Sequence, residues 1–121
     1  MMIDQVTNWC NQLREAWVTR DFRKVEKIFS KTTLYFEDPF TAPGTSSEEI
    51  RSYWEEIEFQ EINELVIEPL VVADSRAALH WYLDYKDARD SSEFIMDGVY
   101  LVVFNDFAEC ISFRQWWVIK D

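Results

Sequence analysis

Apolar side chains recur in this sequence at two different spacings, and the change between them constrains the fold more than any other feature. Up to about residue 57 they recur every three or four positions, which is typical of one face of a helix. From about residue 62 they recur at every second position, which is typical of a half-buried strand. We predict three helices, a strand at residues 32–40 between the second and third, and then four long strands. Helices and strands that are segregated along a chain indicate an α+β fold.

The three predicted helices have recognisable starts and apolar faces. The first covers residues 3–19. The second begins after Asp21, whose carboxylate is suited to accept from a free backbone amide of the first turn. The third begins with Ser46 and Glu49, which have the spacing of a capping box. The apolar faces are formed by Val6, Trp9, Cys10, Leu13, Ala16 and Trp17, by Phe22, Val25, Ile28 and Phe29, and by Ile50, Tyr53, Trp54 and Ile57.

The four later strands, at residues 62–72, 76–87, 92–104 and 109–119, are joined by short polar segments, as antiparallel hairpins require. Successive side chains of a strand point to opposite faces, so alternation predicts which residues face the core. A register shift of one residue would exchange the two faces. The more apolar set is placed inward: Leu79, Trp81, Leu83, Gly98, Tyr100, Val102, Phe104, Ile111, Phe113, Gln115 and Trp117. The outer set includes His80, Tyr82, Arg114 and Trp116.

Length and charge limit the classes of function. A chain of 121 residues is expected to form one domain, residues 1–121. Its formal net charge of −11 disfavours nucleic acids and anionic membranes as partners. No apolar run is long enough to span a bilayer and no secretion signal is visible, so a cytoplasmic location is expected. Cys10 and Cys110 are expected to be buried free thiols, and the absence of a metal-ligand cluster or a phosphate-binding glycine loop predicts no metal and no cofactor.

Several short motifs carry a resemblance to a known superfamily. Residues 16–54 contain an "RD" pair at the end of the first helix, an "EDPF" strand end, a loop with Gly44 and a helix that ends in an aromatic pair. Residues 97–117, "DGVYLVVFNDFAECISFRQWW", form the last two strands. Over nearly the whole chain these features resemble SnoaL-like and ketosteroid isomerase-like proteins of the nuclear transport factor 2-like superfamily.

The resemblance implies a cystatin-like cone, in which three N-terminal helices pack on a curved antiparallel sheet and leave a deep apolar pocket. It implies no single activity, because the superfamily includes isomerases, polyketide cyclases, epoxide hydrolases, dehydratases and non-enzymatic binding modules.

The same resemblance implies a catalytic role for Asp38. The EDPF motif of ketosteroid isomerases carries the carboxylate base that removes a proton next to a carbonyl, and apolar surroundings raise the proton affinity of such a group. Tyr100 aligns with the late-strand donor to the enolate oxygen, whereas the donor expected on the first helix aligns near Leu13, and that helix has no Tyr. The residues themselves leave an alternative, in which Asp38 accepts from backbone amides of a turn around Pro39.

Aromatic side chains are the other candidate components of a pocket. Inward-facing rings are expected to bind a small hydrophobic ligand, with Gln115 as a neutral polar group that orients the ligand or a water molecule. The alternative is that these rings form the core. The set comprises Trp17, Tyr53, Trp54, Trp81, Phe113 and Trp117.

The outer face of the sheet predicts a partner. It carries aromatic residues that water solvates poorly, and the superfamily commonly pairs its sheets back to back. A homodimer is expected, with His80, Tyr82, Arg114 and Trp116 at the interface and Trp116 near its centre. Two alternatives remain: His80, the only histidine, as a general base, and Asp97 with Arg114 as the acid–base groups of an epoxide hydrolase.

Two functions from different classes therefore fit the sequence. The first is an acid–base isomerase or cyclase that acts on a small carbonyl, polyketide-like or steroid-like molecule through Asp38 and Tyr100. The second is a non-enzymatic dimeric module that binds an apolar ligand or another protein. The Asp38 carboxyl separates them: a pKa above its ordinary value of about 3.9 favours the enzyme, and a lowered pKa favours the turn.

Overall fold

The computed structural model describes residues 1–120 and confirms an α+β fold, with helices on one side of a single sheet. Each predicted element is present, and most boundaries agree within two residues. In chain order the elements are α1 Ile3–Val18, α2 Phe22–Ile28, β1 Leu34–Phe36, α3 Ser47–Tyr53, a short 3-10 helix Glu55–Phe59, β2 Gln60–Ala73, β3 Arg76–Asp87, β4 Glu93–Phe104 and β5 Cys110–Ile119.

The sheet is mixed rather than purely antiparallel. Its strand order is β1-β5-β4-β3-β2, and β2 to β5 form an antiparallel meander. At the edge, β1 pairs with β5 in parallel, with Tyr35 opposite Phe113. Parallel neighbours need a crossover connection. Here α3 and the strands from β2 to β4 supply that connection, which alternation within single strands could not predict.

Strand β1 is shorter than the predicted strand at residues 32–40. Only residues Leu34–Phe36 pair with β5, and Tyr35 makes a separate bridge to Gly44 in the following loop. The chain then turns at Asp38, whose carboxylate accepts from the backbone amides of Phe40 and Thr41. This turn ends the strand at the point where Pro39 would in any case remove a donor from the ladder.

Both predicted helix starts are confirmed. The Asp21 carboxylate accepts from the backbone amide of Lys24 at 3.1 Å. The Ser46 hydroxyl accepts from the amide of Glu49 at 3.1 Å, while the Glu49 carboxylate accepts from the Ser46 hydroxyl at 3.2 Å. The bonds from the amides of Lys24 and Glu49 satisfy donors that the first helical turn leaves free.

The core lies between α1 and the concave face of the sheet. The six predicted apolar residues of α1 are all buried. From the sheet, Leu79, Trp81 and Leu83 of β3 and the alternate residues of β4 from Gly98 to Phe104 are buried, as alternation predicts. Cys10 and Cys110 are buried free thiols, and burial raises the pKa of each to about 12. That prediction is confirmed.

Candidate active site at the mouth of the cone

The interior of the cone is an aromatic cluster formed by the protein's own side chains. The rings of Trp81 and Tyr100 stack with their centroids 5.2 Å apart, and Tyr100 lies 4.6 Å from Phe113. Trp17 and Trp54 pack edge to face at 4.9 Å. Centroid separations in this range are those of direct ring contact. The structure therefore places four predicted ligand-binding residues in the core, where they contact one another: Trp17, Trp54, Trp81 and Phe113.

The other three predicted ligand-binding residues lie at the open end of the cone, which we call the mouth. Tyr53 is half-buried and stacks on Tyr35 at 5.3 Å. Gln115 is half-buried on β5. Trp117 is 40% exposed, and its indole N–H donates to the backbone carbonyl of Glu37 at 3.4 Å. At the mouth, the aromatic interior is therefore in contact with polar groups and with solvent.

A groove of about 820 Å³ adjoins the mouth, between residues 38–41 and the paired ends of β4 and β5. Asp38, Trp116 and Trp117 all line it, so the structure brings these predicted residues together. The remaining walls are mostly apolar and include Phe40 and Val118. Tyr100 does not belong to these walls, because it is buried in the core. A larger groove of about 1110 Å³, between α1, α2 and the β4–β5 turn, contains none of the predicted site residues.

Asp38 adopts the geometry of a turn-capping carboxylate. Its Oδ1 accepts from the amides of Phe40 at 2.8 Å and Thr41 at 2.9 Å, and its Oδ2 accepts from the Thr41 hydroxyl at 2.7 Å. These bonds to Thr41 and Phe40 favour the ionised carboxylate and lower the pKa of Asp38. A carboxylate held in this way is a weaker base than usual, which is opposite to the expected apolar environment.

Glu37, which sequence reasoning did not single out, has the environment expected for Asp38. Tyr35 is buried on the inner face of β1, and alternation turns the Glu37 side chain towards that face. Burial, followed by the negative charge of Asp38, raises the pKa of Glu37 to about 7. The signal was present in "LYFED", where alternation puts Tyr35 and Glu37 on one face and Asp38 on the other.

Three tyrosines lie near enough to Glu37 for its charge to affect their ionisation. Its charge contributes to raising the pKa of Tyr35, Tyr53 and Tyr100, after burial in each case. For Tyr35 and Tyr100, which are fully enclosed, the pKa lies well above the ordinary value. These phenols therefore stay protonated at neutral pH and can act only as neutral hydrogen-bond donors or acceptors. Tyr35 and Tyr53 provide donors on this side that the first helix lacks.

The outer face of the sheet carries the predicted interface residues, and two of them have charged or aromatic partners on that face. His80 lies between Glu68 and Asp97 at 3.0 Å from each carboxylate, and these two bonds, Asp97 first, raise its pKa. The Arg114 guanidinium lies 4.0 Å from the centre of the Phe36 ring. Asp97 and Arg114 thus have separate partners, which gives no support to the epoxide hydrolase alternative.

The same face is partly apolar and accessible. Trp116 is 42% exposed, Val118 is 68% exposed, and Tyr82 is half-buried. These side chains have the outward direction that alternation predicts.

Residues 1–120 contain neither a membrane-spanning helix nor a cluster of metal-binding side chains. No helix in that range has the length and apolar character to cross a membrane. Within the same range, no three side chains of the metal-binding types lie close enough together to hold an ion.

Comparisons with known proteins agree on the fold. No known family profile matches the sequence, and no curated protein matches it significantly. Solved structures do match. A candidate isomerase from Bacillus subtilis superposes with a TM-score of 0.75 at 11% identity, over 94% of this chain and 88% of that one. SalBIII, described as an epoxide hydrolase/cyclase-like enzyme in pyran ring formation of the polyether salinomycin, superposes with a TM-score of 0.71 at 13% identity, over 95% and 88%.

A third structure matches the family that the motifs resemble. It is a candidate SnoaL-like polyketide cyclase from Mesorhizobium loti, with a TM-score of 0.62 at 18% identity, over 92% of this chain and 97% of that one. Identities this low establish the fold and leave the activity open. The three helices, the five-stranded mixed sheet and these matches together show that the protein has the α+β cone fold of the nuclear transport factor 2-like superfamily.

Proposed function

We propose that this protein binds a small hydrophobic carbonyl compound at the mouth of the cone and transfers a proton on it, as an isomerase or cyclase of the SnoaL-like type. The ligand would lie against Trp117 and the groove beside it, because the interior rings are already packed on one another. The descriptions of the three structural neighbours as isomerase or cyclase-like proteins are consistent with this class of reaction.

One observation carries the proposal. Two adjacent carboxylates at the mouth, Glu37 and Asp38, have environments that move their pKa values apart, the first to about 7 and the second below its ordinary value. Such a division between neighbouring titratable groups is characteristic of acid–base sites, because one group can exchange a proton near neutral pH while the other stays charged. A carboxyl group that only keeps the protein soluble would be exposed to water rather than placed near tyrosines.

The proposal can be tested without knowledge of the natural substrate. β-Tetralone is a small hydrophobic ketone whose protons next to the carbonyl exchange with D₂O, and proton NMR follows their loss. We expect the protein to accelerate this exchange on the order of 100-fold over buffer, the size of a general acid–base contribution. The indole N–H signal of Trp117 should shift when the ketone is added. Exchange no faster than in buffer, together with unmoved indole signals, would contradict the proposal.

The outer face favours a second candidate function, a non-enzymatic dimeric module. Its support is the exposed apolar surface around Trp116 and Val118, which a second copy would cover. The proposed interface comprises His80, Tyr82, Arg114 and Trp116, with Trp116 as its central anchor. Trp116 and Val118 also line the groove beside Trp117, so a second copy that covers them would form one wall of the proposed ligand site.

We expect the protein to sediment as a dimer at micromolar concentration and Trp116→Glu to sediment as a monomer, since a charge at the centre of an apolar interface stays unpaired. Phe107→Glu is the matched control, because Phe107 is 83% exposed in the β4–β5 turn, outside this interface. Analytical ultracentrifugation measures both variants. A monomeric wild-type protein would exclude the interface.

A further inference from the structure

We propose that Glu37, and not Asp38, is the catalytic residue that accepts and returns the proton, while Asp38 shapes the turn that holds Glu37 in place. This inference rests on the proposed function and names the residue that carries out its chemistry. It departs from the expectation that the EDPF motif implies, in which the aspartate is the base.

Strand β1 determines which of the two carboxylates faces inward. Its parallel pairing places Tyr35 opposite Phe113, a fully buried residue of β5. Two positions further on, Glu37 continues along the Tyr35 side, and its side chain is half-buried. The backbone carbonyl of Glu37 is bound by the Trp117 indole, which fixes the peptide on the groove side. Glu37 therefore lies at the mouth, next to the groove that Trp117 lines.

Asp38 is occupied. Both of its carboxylate oxygens accept hydrogen bonds, three in all, from Phe40 and Thr41. Removal of a proton from a ligand would convert this carboxylate to the acid and weaken the bonds that form the turn. Its lowered pKa also makes it a poor acceptor for a proton from carbon. Its contribution is positional and electrostatic, because its charge lies next to Glu37 and raises the pKa of that residue.

The groups that face Glu37 are consistent with a proton acceptor. They are Asp38 in the following turn, Tyr35 on β1, Tyr53 on α3 and Tyr100 on β4. None of these four carries a positive charge, so none stabilises the ionised form of Glu37 by ion pairing. At neutral pH Glu37 is therefore divided between its two protonation states and can both take and give a proton.

The chemical step balances without a further reactant. The Glu37 carboxylate takes a proton from the carbon next to the ligand carbonyl; that C–H bond breaks, an O–H bond forms on Glu37, and the electron pair moves to the carbonyl oxygen as an enolate. The neutral hydroxyl of Tyr53, the half-buried tyrosine near Glu37, donates a hydrogen bond to that oxygen. The proton then returns from Glu37 to the same or another carbon of the enolate, which gives exchange or isomerisation. The ligand class is thus a ketone or enone with an acidic C–H bond.

Four proteins distinguish the two carboxylates in the β-tetralone exchange assay. The rate of catalysed exchange should fall by about 100-fold or more in Glu37→Gln. Asp38→Asn should retain most of that rate, because Asn can still accept hydrogen bonds from the turn amides. Glu48→Gln is the matched control, an exposed glutamate in the first turn of α3, and should behave as the wild type. For the wild type, the rate should rise with pH through about 7, as Glu37 ionises. In Asp38→Asn the midpoint should move to lower pH.

A titration by carbon-13 NMR provides a readout that does not depend on activity or on the folding of a variant. In protein labelled at the glutamate carboxyl carbons, one signal should titrate near pH 7, and adding β-tetralone should shift it. An ordinary titration near about 4.3 would overturn the inference, as would unchanged exchange in folded Glu37→Gln. If the wild type itself shows no exchange, the proposed function fails. If the wild type is active and only Asp38→Asn is inactive, the inference alone fails.

Discussion

Replacement of Gly98 by alanine is expected to destabilise the protein by about 3 kcal/mol, the upper part of the range for overpacking a core. A Cβ atom at this position would lie 2.3 Å from the backbone carbonyl oxygen of Trp116 and 2.5 Å from the indole nitrogen of Trp81. Neither neighbour can move freely, because one is backbone of β5 and the other is a ring stacked on Tyr100. Urea denaturation of both proteins measures the difference in the free energy of unfolding.

Gly44→Ala is the matched control. A Cβ atom there would meet the end of the Tyr53 ring at 2.9 Å, and that half-buried side chain can shift. Neither glycine has a positive φ, so space and not backbone conformation determines both costs. We expect Gly44→Ala to cost about 1 kcal/mol. Equal costs for the two variants would show that β4 and Trp81 are not packed as closely as described.

Phe113→Ala is expected to cost about 3–5 kcal/mol, the usual range for removing a buried phenylalanine. The Phe113 side chain is 0% exposed, and its ring contacts those of Tyr35, Tyr100 and Phe29. If Phe113 instead lined an open ligand pocket, truncation would only enlarge the pocket and the cost would be small. The free energy of unfolding therefore distinguishes a core residue from a pocket wall.

Trp117→Ala supplies the comparison. Because Trp117 is 40% exposed at the mouth, its removal should cost about 1 kcal/mol in stability and should weaken the binding of β-tetralone. Stability and binding should thus respond to different residues of the aromatic set. If Phe113→Ala is as stable as Trp117→Ala, Phe113 is a ligand-binding residue and not part of the core.

Glu37 and Asp38 should also affect stability in opposite directions as the pH changes. The folded state raises the pKa of Glu37 to about 7, so it binds that proton more tightly than the unfolded chain does. The stability associated with Glu37 is therefore present at low pH and is lost as the pH rises from about 4.5 to about 7. Asp38, whose pKa is lowered, loses its contribution only as the pH falls below its ordinary pKa. Glu37→Gln should accordingly melt higher than the wild type at pH 8, with little difference at pH 4.

A candidate acid–base group of this kind is tolerated because the rest of the interior is apolar and closely packed. Rings from α1, α3, β1 and the later strands contact one another at the centre of the cone. The free energy that this burial provides can offset one half-buried carboxyl at the edge. Because of the same packing, a ligand would bind at the mouth and not at the centre of the cone.

Much of the fold followed from local patterns. Helix starts at Asp21 and Ser46 depend on side chains within four residues of the amides they bind, so the sequence predicts them directly. The facing of Trp81 and Tyr100 follows from alternation in β3 and β4. In β5, Phe113 is buried as predicted, but Cys110 is buried as well, because the register shifts where Cys110 pairs with Phe104. Burial of these side chains agrees with that prediction.

The site was harder to predict because two signals conflict in "LYFEDPF". The motif indicates Asp38, whereas alternation from Tyr35 indicates Glu37. A strand of three residues is too short for its own pattern to decide between them. The turn bonds from Phe40 and Thr41 are local, and they agree with the turn that the residues around Pro39 left open for Asp38. The pairing of β1 with β5 joins residues far apart in the chain, so the neighbours of Asp38 could not predict it.

The sequence by itself determined the order of the elements, the helix starts, the inward faces of β3 and β4 and the resemblance to the nuclear transport factor 2-like superfamily. These properties depend on side chains that are near one another along the chain. Only the tertiary structure decided that aromatic rings fill the cone, that β1 lies parallel to β5, and that Glu37 rather than Asp38 faces the interior. Each of those depends on contacts between residues far apart in the chain, whose fit is a matter of volume and hydrogen bonding in three dimensions.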